Sequence, residues 1–138
     1  MTDNTITITA TLAADTKKAW DYYTLPEHIT QWNFALDTWC CPSATNDMRI
    51  GGKYCARMEA KDGSFGFDFE AIYNEIEEHK KIVYTIADGR EVSIYFTPQD
   101  EQTEVTVVFE AEKVNPKEMQ RDGWLAILNN YKKYTESN

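Results

Sequence analysis

Histidine, cysteine and positive charge are all scarce in this chain of 138 residues. Lys and Arg number 14 against 23 Asp and Glu, giving a formal net charge of -9. This balance argues against binding bare nucleic acid or an anionic membrane through a basic surface. A basic protein partner and a neutral apolar ligand remain compatible. The two histidines, His28 and His79, lie in no Ser/His/Asp or Cys/His signature. The three cysteines, Cys40, Cys41 and Cys55, are an odd number and lack the paired spacing of a zinc site. Two of them are adjacent, a poor disulfide staple, so reduced thiols behaving as small hydrophobes are expected. No apolar run reaches signal-peptide or membrane-span length. The expectation is a cytoplasmic protein without cofactor or metal. Gly51-Gly52 is no phosphate loop, because no Lys-Ser/Thr follows and a strand rather than a helix comes next.

What is present suits one globular domain over residues 1–138: 42% hydrophobic and 27% charged residues can build a real core. Thr5 to Leu12 alternates as a half-buried strand, with Ile6, Ile8, Ala10 and Leu12 on one face. Asp15 or Thr16 then caps a short helix with Ala19, Trp20 and Tyr23 on its apolar side. Pro26 opens a second short helix that turns Ile29 and Trp32 inward. Trp39 to Cys41 is a short strand candidate, and Ser43 to Asp47 reads as a turn.

Lys53 to Ala60 puts Tyr54, Ala56 and Met58 on one face, and Asp62-Gly63 turns the chain. Ser64 to Ile76 is a long aromatic strand with Phe65, Phe67, Phe69, Ala71 and Tyr73 together. Ile72 and Ile76 then fall on the polar side, which a bulge or bend near Ala71 would reconcile while curving the sheet. Ile82 to Ala87, Glu91 to Thr97 and Thr103 to Glu110 complete six or seven antiparallel strands. Asn115-Pro116 reads as the start of a long helix, with Asn as cap and Pro in the first turn. Trp124, Ile127, Leu128 and Tyr131 share one face of it. Gly123 admits two readings, a tolerated glycine or a close backbone approach to the sheet. The fold class is α+β, a curved antiparallel sheet clasping a long C-terminal helix, with two short helices after the first strand.

Several segments carry a resemblance in this order: Ala19-Trp20 with Thr24, Pro26-Glu27-His28-Ile29 with Trp32, and Asp47-Met48-Arg49-Ile50-Gly51-Gly52. Met58 with Asp62-Gly63, Ile82-Val83-Tyr84-Thr85, Thr103-Glu104-Val105-Thr106, and Gly123-Trp124 with Leu128 follow. Together they resemble the family named for the activator of Hsp90 ATPase, within the helix-grip superfamily of START and Bet v 1-like proteins. Ala14 stands where that family often has proline, and Glu77 to Lys81 lacks the usual proline; both departures concern loops. The resemblance implies an apolar cavity beneath the closing helix, and it does not by itself fix an activity.

The residues expected at such a cavity are Trp32, Trp39, Met58, Phe67, Phe69, Tyr84, Tyr95, Trp124 and Leu128. For each ring, ordinary core is the default reading and pocket lining the functional one. Pockets combine apolar walls with a few fixed polar groups, which Tyr and Trp supply. Arg57, Asp68 and Glu70 become internal acid/base candidates only if the strand faces are reversed, and the alternation with Phe65, Phe67 and Phe69 argues for a solvated face. The expected function is binding a small hydrophobic or amphipathic molecule. The alternatives are a stress-response interaction module for an Hsp90-type chaperone, implied by the resemblance, and a cyclase- or hydrolase-like enzyme. A monomer and a homodimer both fit; a sheet edge or the Trp39 region can support the latter.

Overall fold

A computed structural model describes residues 5–138. The alternation at the start forms β1 (Thr5–Leu12), which buries Ile6, Ile8, Ala10 and Leu12. Helix α1 (Thr16–Thr24) begins at Asp15, whose carboxylate accepts the Lys18 backbone N–H at 2.8 Å. Leu25 is extended before Pro26, which opens α2 (Pro26–Trp32). Six strands follow: β2 (Trp39–Asn46), β3 (Lys53–Ala60), β4 (Gly66–Glu77), β5 (Lys81–Ile86), β6 (Glu91–Gln99) and β7 (Gln102–Glu110). Helix α3 (Lys117–Ser137) closes the chain.

The seven strands form one antiparallel sheet in the order β1-β7-β6-β5-β4-β3-β2. Neighbours in sequence are neighbours in space except at β1, which crosses to pair with β7 from Thr5↔Glu110 to Leu12↔Thr103. The two short helices occupy the connection between the sheet's two edge strands. The turns at Asp62-Gly63 and Asp88-Gly89 are tight, and both glycines have positive φ.

Three expectations need correction. The segment Ser43 to Asp47 is not a free turn: β2 continues through Asn46, paired with β3. Its turn-type side chains are used elsewhere, since Asn46 donates to the Thr24 carbonyl at 2.7 Å and accepts from the Tyr73 hydroxyl at 2.5 Å. The register shifts between Cys40 and Ser43, and Pro42 sits there on an edge strand, where a missing N–H is tolerated. The bulge of β4 lies between Tyr73 and Glu75 rather than near Ala71. Ala71 and Tyr73 therefore stay inward with the preceding phenylalanines, Ile72 stays outside, and only Ile76 is brought back against the core.

The start of α3 differs as well. Lys117 is the first helical residue, and Pro116 stands at the cap without a side-chain hydrogen bond. Asn115 does not cap; its side-chain amide donates to the Glu112 carboxylate instead. Buried Gln120 organises this end. Its Oε1 accepts the Glu112 N–H at 2.8 Å, and its Nε2 donates to the carbonyls of Asn115 at 2.8 Å and Glu112 at 3.2 Å.

The other half of α3 is tied down hard. Leu128, Tyr131 and Thr135 are buried, and the Tyr131 hydroxyl donates to the Ala19 carbonyl at 2.5 Å. The Ala13 N–H donates to Glu136 at 2.8 Å, and the Asn130 amide to the Phe34 carbonyl at 2.5 Å. Gly123 makes no close approach: a Cβ built there meets nothing within 4 Å. Its reading is therefore the plain one, a helical glycine that costs conformational entropy. Gly123→Ala is expected to stabilise the protein by about 1 kcal/mol, raising Tm by about 3–4 °C. A lowered denaturant midpoint would show that this position needs the freedom of glycine.

Candidate functional site

Between the concave face of the sheet and the first half of α3 lies a cavity of about 360 Å³. Strand alternation supplies most of its wall: Ile8 from β1, Tyr54 and Met58 from β3, Phe67 and Phe69 from β4, Tyr84 from β5 and Val107 from β7. Tyr23 of α1, Trp32 of α2 and the following Asn33 close one end. Trp124, Ile127 and Leu128 form the roof. Arg90, in the turn before β6, and Glu112, just after β7, complete the lining. Phe67 is 42% exposed, and Arg90, Glu112, Trp124 and Ile127 are half-buried, so the cavity opens where these residues meet.

Of the nine residues expected at the cavity, Trp32, Met58, Phe67, Phe69, Tyr84, Trp124 and Leu128 stand on its wall. Trp39 and Tyr95 do not. Trp39 is displaced to the β3–β4 hairpin, where its ring packs on Phe65 and Phe67 with centroids 5.9 and 6.2 Å apart. Tyr95 lies on the outer face, 37% exposed, with the Lys81 ammonium 5.6 Å from its ring centre. The reason is the period of two along β6: Val92, Ile94 and Phe96 are inward and buried, which forces Tyr95 outward.

Lining residues not expected there divide by signal. Tyr54 shares a strand face with Met58, so the alternation already pointed to it. Tyr23 was legible as an apolar helix position, though not as a wall. Asn33, Arg90 and Glu112 follow elements rather than lie within them, and no periodicity marks them.

The polar geometry is uneven. At the inner end the Asn33 amide donates to the Tyr54 hydroxyl at 3.3 Å. The Trp32 indole N–H is taken by the Tyr22 carbonyl at 2.9 Å. Near the opening, Arg90 is held by its own surroundings: Nε donates to Asp88 at 2.8 Å and Nη1 to the Glu110 carbonyl at 3.1 Å. Glu112 accepts the backbone N–H of Asn115 at 3.1 Å as well as its side-chain amide. Trp124 is fixed by a parallel stack on buried Phe109, with centroids 4.0 Å apart and planes 10° apart.

The acid/base candidates face away. Arg57 pairs with Glu59 at 2.9 Å and Asp68 at 3.4 Å, and Glu70 with Lys53 at 3.1 Å, all on the outer surface of the sheet. His28 stacks on Tyr22 at 3.9 Å and shares a 2.8 Å hydrogen bond with the Tyr134 hydroxyl. His79 meets Trp20 edge-on in the β4–β5 turn. Cys40, Cys41 and Cys55 are free thiols, and burial pushes that of Cys41 up to about 11, away from thiolate chemistry. Among the described residues no His, Cys, Asp and Glu group could hold a metal ion.

A curved antiparallel sheet, a clasping C-terminal helix and a cavity between them define a helix-grip protein. The sequence matches the family described as activator of Hsp90 ATPase homolog 1-like protein over residues 13–136, nearly the whole chain. The AHSA1-like protein from Aeromonas hydrophila has the same fold with a TM-score of 0.92 at 34% identity, over 96% of this chain and 92% of that one. Chr148 from Cytophaga hutchinsonii superposes with a TM-score of 0.85 at 43% identity, over 99% and 94% of the two chains. At 22% identity, CV1439 from Chromobacterium violaceum shares the fold with a TM-score of 0.87, over 98% and 99%. No curated protein matches the sequence. The chain belongs to the activator of Hsp90 ATPase homolog 1-like family.

Burial raises the phenols of Tyr23, Tyr54, Tyr73, Tyr84 and Tyr131 above their ordinary value. A raised phenol loses its proton first in the unfolded chain. The stability it supplies is intact below about pH 10, the ordinary phenol value, and falls as pH rises from there toward the folded value. Stability should therefore drop above about pH 10 by about 1.4 kcal/mol per pH unit for each phenol still protonated in the fold. Phenolate absorbance and circular dichroism, followed together, check this. These five rings should ionise only as the dichroism signal is lost, and their smooth titration within the folded state would contradict the burial.

Proposed function

We propose that this protein binds a small hydrophobic or amphipathic molecule in the cavity beneath α3. The observation that carries this reading is the cavity itself: about 360 Å³ walled by Trp32, Tyr54, Phe67, Phe69, Tyr84 and Trp124. That volume falls within the range of small-ligand sites, which are apolar with few polar groups. Apolar area removed from water drives association at roughly 25 cal/mol per Å². Orientation comes from the Tyr84 hydroxyl and the Trp124 indole N–H; Tyr95, on the outer face, takes no part. Stacking of Trp124 on Phe109 holds the roof rigid, so little ordering is needed when the ligand enters.

The same reading takes the chain as one domain acting in the cytoplasm, in keeping with three free thiols. Monomer and homodimer are both compatible with it. A second reading is favoured by family membership together with the net charge of -9: an interaction module for the basic face of an Hsp90-type chaperone. Co-sedimentation with purified Hsp90 and an altered ATPase rate would move weight to it. The enzyme reading has no such support, since Asp68 and Glu70 face outward.

Native mass spectrometry of freshly purified protein is the first test, with extra mass that leaves on denaturation as the expected result. Trp124→Ala should cost about 2–3 kcal/mol of stability, somewhat less than truncation at a fully buried site, and weaken ligand binding at least tenfold, about 1.4 kcal/mol. Unchanged affinity in a folded Trp124→Ala variant would remove this residue from the site. An apo mass combined with no uptake of any apolar probe would sink the reading.

A further inference from the structure

The cavity is chemically divided, and the division specifies the ligand. Among the described residues its only charged lining groups are Arg90 and Glu112, both half-buried and committed to Asp88, the Glu110 carbonyl and Asn115. The other polar lining groups are uncharged: the buried Tyr54 and Tyr84 phenols and Asn33 amide, and the half-buried Tyr23 phenol.

These hydroxyls are under-used. Tyr54 accepts from Asn33, which leaves its own proton free to donate. Tyr23 and Tyr84 have no hydrogen-bond partner among the described residues, yet no buried side-chain polar atom there is orphaned. Their oxygens must therefore reach accessible space, and for Tyr84, only 6% exposed, that space is the cavity. Tyr54 and Tyr84 stand 6.0 Å apart between ring centres on the sheet wall, and Tyr23 lines the same cavity from α1. A wall needing only apolar surface would use phenylalanine at these positions, as β4 does at Phe67 and Phe69.

Resting on the binding function proposed above, we propose that the ligand is uncharged and carries an acceptor oxygen of ketone, aldehyde, lactone or amide type. That oxygen seats among the Tyr23, Tyr54 and Tyr84 hydroxyls, and the apolar remainder extends toward Trp124. The phenols remain protonated through the physiological range and so serve as donors. A carboxylate would bring a full charge among uncharged phenols with no cation beside it among the described residues, and an ammonium would find no anion there. A bare hydrocarbon would leave the donors unmatched.

The test uses the full chain and three naphthalene derivatives of similar size: the methyl ketone, the ethyl hydrocarbon and the carboxylate, each followed by NMR shift titration. The ketone should bind about tenfold more tightly than either of the others, as expected where a site's polar donors are matched rather than left empty. In the Tyr23→Phe/Tyr84→Phe double variant, which keeps both rings, ketone affinity should fall to the hydrocarbon's while the hydrocarbon's stays unchanged. Equal binding of ketone and hydrocarbon, or carboxylate binding as tight as the ketone's, overturns this inference and leaves cavity binding standing. Failure of all three to bind overturns the cavity-binding function itself, and the inference with it.

Discussion

The seating of helix α3 on the sheet is the constraint on which the rest of the structure depends, and the two halves of the helix are seated differently. Its C-terminal half is pinned to the segments around α1 and α2 by Tyr131 on the Ala19 carbonyl, Glu136 on the Ala13 N–H and Asn130 on the Phe34 carbonyl. Leu128, Tyr131 and Thr135 of this half are buried. Its N-terminal half is seated by the stack of Trp124 on Phe109 and by Leu125 and Ile127, which pack against the core. The Gln120 hydrogen bonds organise the approach to the helix from Glu112 and Asn115 rather than pull it inward. Trp124, Ile127 and Leu128 roof the space left over the sheet, and that space is the cavity.

The sheet keeps that volume from closing. The crossover pairing of β1 with β7 places the chain's first strand under the helix that ends the chain, so helix and sheet are locked in one frame. The bulge between Tyr73 and Glu75 lets β4 keep Phe67, Phe69, Ala71 and Tyr73 on the concave side and still return Ile76 to the core. A bulge increases local twist and bends its strand, so the far side of the sheet curls away from the helix. Large rings then line the space. Aromatic side chains have few rotatable bonds, and neighbours such as Phe69, Tyr54 and Tyr84 brace one another at ring separations of 5.9 to 6.4 Å.

Legibility in the sequence tracked regular periodicity. β1, β3 and the face of α3 have clean alternation or helical spacing, and their inward residues could be named from that alone. The same period of two also placed Tyr95 outside, because Ile94 and Phe96 flank it; counting it as a wall residue weighed ring chemistry above position. β2 was obscured because Pro42, Ser43, Thr45 and Asn46 have turn-type side chains whose pairing with β3 and Thr24 is a tertiary fact. Asn115 read as a cap because its chemistry suits one, but Glu112 and Gln120 compete for the same groups. Arg90, Glu112 and Asn33 reach the cavity from connections, where no local pattern reports direction. The family was legible because it rests on many weak matches in a fixed order rather than on any one site.

The tyrosines bear on why such a cavity persists. A protein selected for stability alone would fill this space or line it with hydrocarbon, since every void forfeits contacts and every desolvated hydroxyl without a partner has a cost. Here the void is kept, and two of its phenols, Tyr23 and Tyr84, are left without a protein partner among the described residues. The Tyr131 hydroxyl is a useful contrast: on a fully buried side chain, it is spent on the Ala19 carbonyl and serves the fold. Departures from the most stable arrangement concentrate where a structure does something besides hold together. In this fold they concentrate on the cavity wall, where Tyr84 is 6% exposed and a hydrogen bond is electrostatically stronger than one in water.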